Sequence, residues 1–189
     1  MNFINLNQSL PVETLKYQAM RNTIMLKILP KFSLLILLFI SSIYVFNVTA
    51  SNANQVIEEK NFAALAKKMK QEKKGLVLML HAEGCPYCEA LEEEVLYPMV
   101  KSGEYDKQLF VRKVRIDSGT PIIDFSGKKI DPEAISDRYD GRLTPTLLFL
   151  DSNGQEAAEK LIGYNVTLYA DYVEEQIKLM RKHVLLNAQ

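Results

Sequence analysis

The chain of 189 residues holds two cysteines, Cys85 and Cys88, separated by Pro86 and Tyr87. Residues three apart on a helix return to one face, so these two sulfurs can close a disulfide. A bridge across so short a loop removes little entropy from the unfolded chain and makes a poor staple. Such a bond suits opening and closing, and the pair reads as a dithiol–disulfide redox centre. Zinc is the other use of this spacing, but a structural zinc takes four ligands. The histidines are His81 and His183 alone, so no metal site within one chain is expected.

The elements around the pair give it a place. Leu76-Val77-Leu78-Met79-Leu80 is apolar at every position, as in a strand covered on both faces. A short polar turn, His81 to Gly84, follows. Cys85 then falls in the first turn of an amphipathic helix, where unpaired N–H groups and the helix dipole favour negative charge. A thiol there is expected to ionise below the free value of about 8.5, in the range of ~3.5 to 7.5 spanned by reactive cysteines.

Upstream, Val56 to Lys74 reads as a helix with Phe62, Leu65, Ala66 and Met69 inward, Asn61 capping its regular part and Gly75 ending it. Glu89 to Val100 continues the cysteine helix, with Leu91, Val95 and Leu96 inward and Glu92, Glu93 and Glu94 facing water. Pro98 is expected to kink or end it. Leu109 to Ile116 is a strand. Asp117 to Asp131 is an insertion in which Ser126-Gly127 signals a hairpin. Asp131 is the expected cap of a helix opened by Pro132 and closing near Tyr139. Leu147 to Leu150 is a second buried strand, and Glu156 to Ile162 returns along its edge after the Asp151–Gly154 turn. Thr167 to Leu186 closes the chain as a helix with Leu168, Tyr172, Ile177, Met180 and Val184 inward.

Charge is balanced overall but not along the chain. Residues 51–189 carry 19 basic and 22 acidic residues without a basic stripe, which argues against nucleic acid as a partner. Residues 32–46, FSLLILLFISSIYVF, form an uncharged apolar run behind Arg21, Lys27 and Lys31, and Val48-Thr49-Ala50 follows with signal-peptidase spacing. The first reading is a cleaved signal peptide within residues 1–50. The second is an uncleaved anchor, residues 32–48, tethering the chain to the inner membrane. Either places the remainder outside the cytoplasm, in the periplasm, with the basic flank left inside. Met20 or Met25 would each give a shorter basic leader, so the true start is expected at one of them. Residues 51–55 read as a linker and 56–187 as the working domain.

The order of elements, with CPYC after the first strand and Thr144-Pro145 ahead of a hairpin, resembles the thioredoxin fold. Pro145 lies 57 residues after Cys88, and Gly163 closes the second hairpin strand. The resemblance spans Val56 to Leu186. It implies an α/β domain: a central mixed β-sheet flanked by helices, with a small hairpin insertion before the third helix. Within the superfamily the chain is similar to exported thioredoxin-like proteins with CPYC centres. These include proteins of bacterial sulfur-oxidation clusters and the catalytic domains of periplasmic disulfide isomerases.

What the resemblance implies for the site is specific. Cys85 is the exposed nucleophile, Cys88 the resolving thiol, and the two form a redox disulfide. Pro145 is expected in the cis form beside them, with Thr144 offering its backbone to a bound peptide. Pro86, Tyr87, His81 and Glu83 are the expected tuning residues. Cytoplasmic thioredoxins place a buried acid six residues before the first cysteine, where this chain has Met79; Glu83 and Glu89 are the nearby carboxylates that could stand in. Glutaredoxins share CPYC, but their glutathione site includes a Gly-Gly segment that this chain lacks. No cofactor is implied. The expected activity is an exported thiol:disulfide oxidoreductase that reduces or isomerises disulfides of proteins or small thiols. It would work as a monomer recharged by a membrane electron donor. The alternatives are a disulfide-introducing oxidase and a non-catalytic peptide-binding module.

Overall fold

The computed structural model describes residues 55–165 and 167–187, all within one compact unit, Asn52–Gln189. The leader, the apolar run and the alternative starts lie outside the described residues. No helix among those described is long and apolar enough to cross a membrane.

The elements run β1 (Ile57–Glu58), α1 (Phe62–Glu72), β2 (Gly75–His81) and α2 (Pro86–Leu91). A π-helical stretch, Glu92–Leu96, joins α2 to α3 (Tyr97–Ser102). Then come β3 (Leu109–Arg115), β4 (Ile122–Ile123), β5 (Lys129–Ile130), α4 (Glu133–Arg138), β6 (Thr146–Leu150), β7 (Leu161–Ile162) and α5 (Tyr169–Leu186). Five strands make a mixed sheet in the order β1-β3-β2-β6-β7, and β4 and β5 form a separate hairpin. β1, β3 and β2 are parallel, while β6 and β7 are each antiparallel to their neighbours.

β2 explains itself once both faces are covered. Val77 and Met79 enter a core with Leu91, Val95 and Leu96 of the cysteine helix and Val173, Ile177 and Met180 of α5. Leu76, Leu78 and Leu80 enter a second core with Phe62, Leu65 and Met69 of α1 and Ile135 of α4. Each such side chain stabilises the fold by roughly 1.5–3 kcal/mol on burial. β6 repeats the division, with Leu147 and Phe149 on one side and Leu148 and Leu150 on the other.

Several elements differ from the sequence expectation. The predicted helix at Val56 begins only at Phe62, because Ile57 and Glu58 pair with Arg112 and Lys113 as β1. Asn61 does cap α1, its Oδ1 accepting the Ala64 N–H at 2.9 Å. The helix ends on Lys73 in a left-handed conformation, φ 53°, and Gly75 is already in β2, where its missing side chain leaves room for Met180. Pro98 neither ends nor breaks the helix. The preceding turn widens, with Tyr97 N–H donating to Glu92 O, and absorbs the hydrogen bond that proline lacks a donor to make.

Asp131 does not cap α4 with its side chain; its carbonyl accepts the Ala134 N–H instead, and the helix starts at Glu133. The returning edge strand shrinks to Leu161–Ile162 plus one bridge at Glu156. Between them Glu159 N–H donates to the buried Gln176 side chain of α5 rather than to β6. Leu168 adopts φ 66°, so α5 starts at Tyr169, two residues later than expected, and Leu168 and Tyr172 face solvent while Tyr169 and Val173 turn inward. The inserted hairpin is as expected, with Gly127 at φ 84° in its turn. Buried Asp124 organises it: Oδ1 accepts from Ser126 N–H, Ser126 Oγ and Lys128 N–H, and Oδ2 meets Arg138 at 2.9 Å.

Candidate functional site

Cys85 sits where β2 has ended and α2 begins. Gly84 supplies the turn between them at φ 64°, a conformation that costs a residue with a Cβ on the order of 1 kcal/mol. Cys85 itself is extended, and its Sγ accepts the Cys88 N–H at 3.3 Å. Its carbonyl receives the N–H groups of Cys88 and Glu89 at 3.0 and 3.1 Å. Pro86 occupies the first helical position, where no N–H is needed. The two cysteines are disulfide-bonded, with Cα atoms 5.3 Å apart. Cys85 is half-buried, whereas Cys88 is only 3% exposed. One sulfur is therefore accessible and the other shielded.

The loop before β6 closes over the accessible sulfur. The Thr144–Pro145 peptide is cis, and Cys85 Sγ lies 3.7 Å from Thr144 O and 3.6 Å from Thr144 Oγ1. Thr146 Oγ1 donates to Leu143 O at 2.6 Å, and Gly163 N–H donates to Pro145 O at 2.8 Å, so the loop is braced from both sides. Tyr87 beside Cys85 and Leu143 beside Thr144 stand exposed, as does Ile162, which pairs with Thr146 in β7. All three are exposed apolar side chains on the elements that carry the disulfide and the cis loop.

The other expected tuning residues are engaged elsewhere. His81 Nε2 lies 2.9 Å from Glu58 Oε2 in β1, and Glu58 Oε1 accepts the Arg115 N–H at 2.5 Å. Burial pushes the Glu58 carboxyl up, but the hydrogen bonds from His81 and Arg115 outweigh it and hold the group below its ordinary value. Glu83 pairs with Arg115 at 3.1 Å while its N–H donates to Asp117. These contacts tie the approach to Cys85 to β1 and β3.

Met79 is fully buried in the core on the α2 side of the sheet. Its partner across β2–β3 is Lys113, whose ammonium holds both carboxylate oxygens of Glu92 at 2.6 Å. The sequence turned Glu92 to water, yet its side chain is only 26% exposed. Its N–H donates to Cys88 O, which sets it one helical turn from the shielded cysteine. The signal for it was the spacing of four residues from Cys88, which shares a helix face. Among the described residues, no three His, Cys, Asp or Glu side chains converge where a metal ion could sit.

The thioredoxin-like domain family matches residues 62–168. No curated protein matches the sequence significantly. Similar solved structures include poplar thioredoxin h, at 17% identity and a TM-score of 0.44 over 59% of this chain and 84% of that one. Spinach chloroplast thioredoxin f has 17% identity and a TM-score of 0.47 over 69% and 98%. Nicotiana alata thioredoxin has 21% identity and a TM-score of 0.45 over 67% and 96%. With the family spanning more than half of its length and a Cys-X-X-Cys pair at disulfide distance, the chain belongs to the thioredoxin-like family, a thiol–disulfide oxidoreductase at family level.

Proposed function

We propose that the protein is an exported thiol:disulfide oxidoreductase that reduces or isomerises disulfides through Cys85 and Cys88. The observation that carries this reading is the unequal exposure of two bonded sulfurs at a helix start, with Thr144 against the accessible one. In the reduced protein the helix start favours the Cys85 thiolate over the thiol. That thiolate attacks one sulfur of a substrate disulfide, forming a mixed disulfide and expelling the other substrate sulfur as thiolate. Cys88 then loses its proton and attacks Cys85 Sγ, which closes the intramolecular bond and releases the second substrate thiolate. Two electrons pass to the substrate, and two thiols of the protein become its disulfide.

The second step needs a base near Cys88. We assign that role to Glu92, one turn along and paired with Lys113, rather than to Glu83 or Glu89, the carboxylates expected to stand in. Peptide substrates are held by strand-like pairing to Thr144 and by the exposed apolar side chains of Tyr87, Leu143 and Ile162. A membrane donor returns the electrons from the periplasmic side, and the 32–48 segment, as leader or anchor, accounts for that location.

Replacing Cys88 by Ser tests the reading. The variant traps covalent mixed disulfides through Cys85 that reducing agents release; a non-catalytic binding module with a structural bridge yields none. Trapped partners that accumulate with the wild-type protein oxidised and the partner reduced would favour the oxidase direction instead.

A further inference from the structure

The end of the sheet opposite the disulfide carries two adjoining hollows lined by cations. Lys74 precedes β2 and His81 ends it, while Pro145 precedes β6 and Asp151 follows it. At ~3.3 Å per residue these strands set the hollows roughly 20 Å from the cysteines. The first, of about 390 Å³, is walled by Lys70, Lys73 and Lys74 from the end of α1, by Ser152 and Asn153 from the turn after β6, and by Asn187 after α5. The second, of about 50 Å³, shares Lys73 and adds Lys107 and Arg181.

Local pairing does not use up this charge. Asp151, the carboxylate in the first hollow, is only 8% exposed; its Oδ1 accepts the N–H groups of Asn153 and Gln155, and its Oδ2 lies 3.5 Å from His183. Lys74 pairs with Glu72. Among the described residues, Lys70, Lys73, Lys107 and Arg181 have no carboxylate within 4.0 Å. The helix dipole of α1 favours a cation at Lys70, but it accounts neither for Lys107 and Arg181 nor for the amide and hydroxyl groups between them. Nor does composition, since residues 51–189 are net acidic.

We propose that this pole binds a phosphate-bearing anion, free or as a lipid headgroup. The donors come from three separate segments, and a tetrahedral group with several acceptor oxygens takes hydrogen bonds from several directions at once, where a planar carboxylate takes them in one plane. Lys70 and Lys73 supply charge in the larger hollow, Ser152 and Asn153 supply neutral donors together with Asn187, whose amide nitrogen also lies 3.0 Å from His183 Nε2, and Arg181 extends the field at its edge. This inference does not depend on the redox reading. If lipid is the source, the site sets the disulfide roughly 20 Å out from the bilayer surface, within reach of the part of a membrane donor that projects from it.

The test uses the full chain and a Lys70→Gln/Arg181→Gln double variant, each first shown to keep its thermal stability and reducible disulfide. Inorganic phosphate is titrated against the 15N-labelled protein in zwitterionic micelles while the side-chain amides of Asn153 and Asn187 are followed. Separately, co-sedimentation compares phosphatidylglycerol vesicles with phosphatidylcholine vesicles. Saturable phosphate shifts at both amides, weakened at least tenfold in the variant, support the site with free phosphate as its source. A phosphatidylglycerol preference that falls at least tenfold in the variant supports it with lipid as its source. Amides that do not move, or move equally in both proteins, together with an unchanged vesicle preference, overturn it.

Discussion

Lys113 grips both oxygens of Glu92 at 2.6 Å on the α2 side of the sheet, directly across the ladder from Met79. Met79 is thus an apolar core residue, and the charge on this side of the sheet lies in a pair on the flanking helix and strand. Glu92→Gln is expected to slow the resolving step several-fold, lengthening the life of mixed disulfides, with initial attack by Cys85 little changed. Stopped-flow reduction of a model disulfide, followed by acid trapping of the mixed species, separates the two steps. Since both side chains are partly exposed, the loss of stability should be about 1 kcal/mol or less.

Acid should weaken the fold through Asp124 and Glu58. Burial pushes the Asp124 carboxyl up, but hydrogen bonds from Ser126, Arg138 and Lys128 outweigh it and hold it well below the usual carboxylate range; Glu58 is lowered too. An unfolded Asp or Glu titrates near 4, so the stabilisation is fully present above that pH and is lost as pH falls through the lower folded values. Asp124→Asn should lose on the order of 1–3 kcal/mol at neutral pH and show a flatter decline below pH 4. Denaturant unfolding across the pH range measures both.

Leu78 lies at the centre of β2 and is fully buried. Leu78→Ala should cost about 2–5 kcal/mol, read as a fall in the denaturation midpoint. Its reduction potential should stay near the wild-type value, because Leu78 faces α1 and α4 rather than the cysteine helix.

Gly84→Ala meets no atom within 4 Å of its new Cβ, so any effect comes from the backbone at φ 64°. A loss of about 1 kcal/mol is expected, with a change in the alkylation rate of Cys85, whose position the turn sets. Gly119→Ala, also at positive φ with open space, is the control: similar strain, unchanged alkylation.

What the sequence disclosed follows from how local each signal was. Cys85 and Cys88 at a strand-to-helix junction, the Ser126-Gly127 turn and the apolar runs of β2 and β6 each declare themselves within a few residues, and the structure places them as expected. β1 is two residues long, too short for any period, and exists only because β3 offers it an edge. A helix that includes Leu168 puts Tyr172 inward; the left-handed backbone takes Leu168 out of the helix, and Tyr172 faces solvent. Glu92 sits among three consecutive glutamates, and only the position of Lys113, on a strand far along the chain, separates it from its neighbours.

The most direct test of the redox reading is the equilibrium of the Cys85–Cys88 bond in glutathione buffers of graded potential. A reversible two-electron transition with a midpoint between about −270 and −120 mV is expected, the range of working dithiol centres. A bond that stays closed to below about −300 mV, as structural disulfides do, would contradict it.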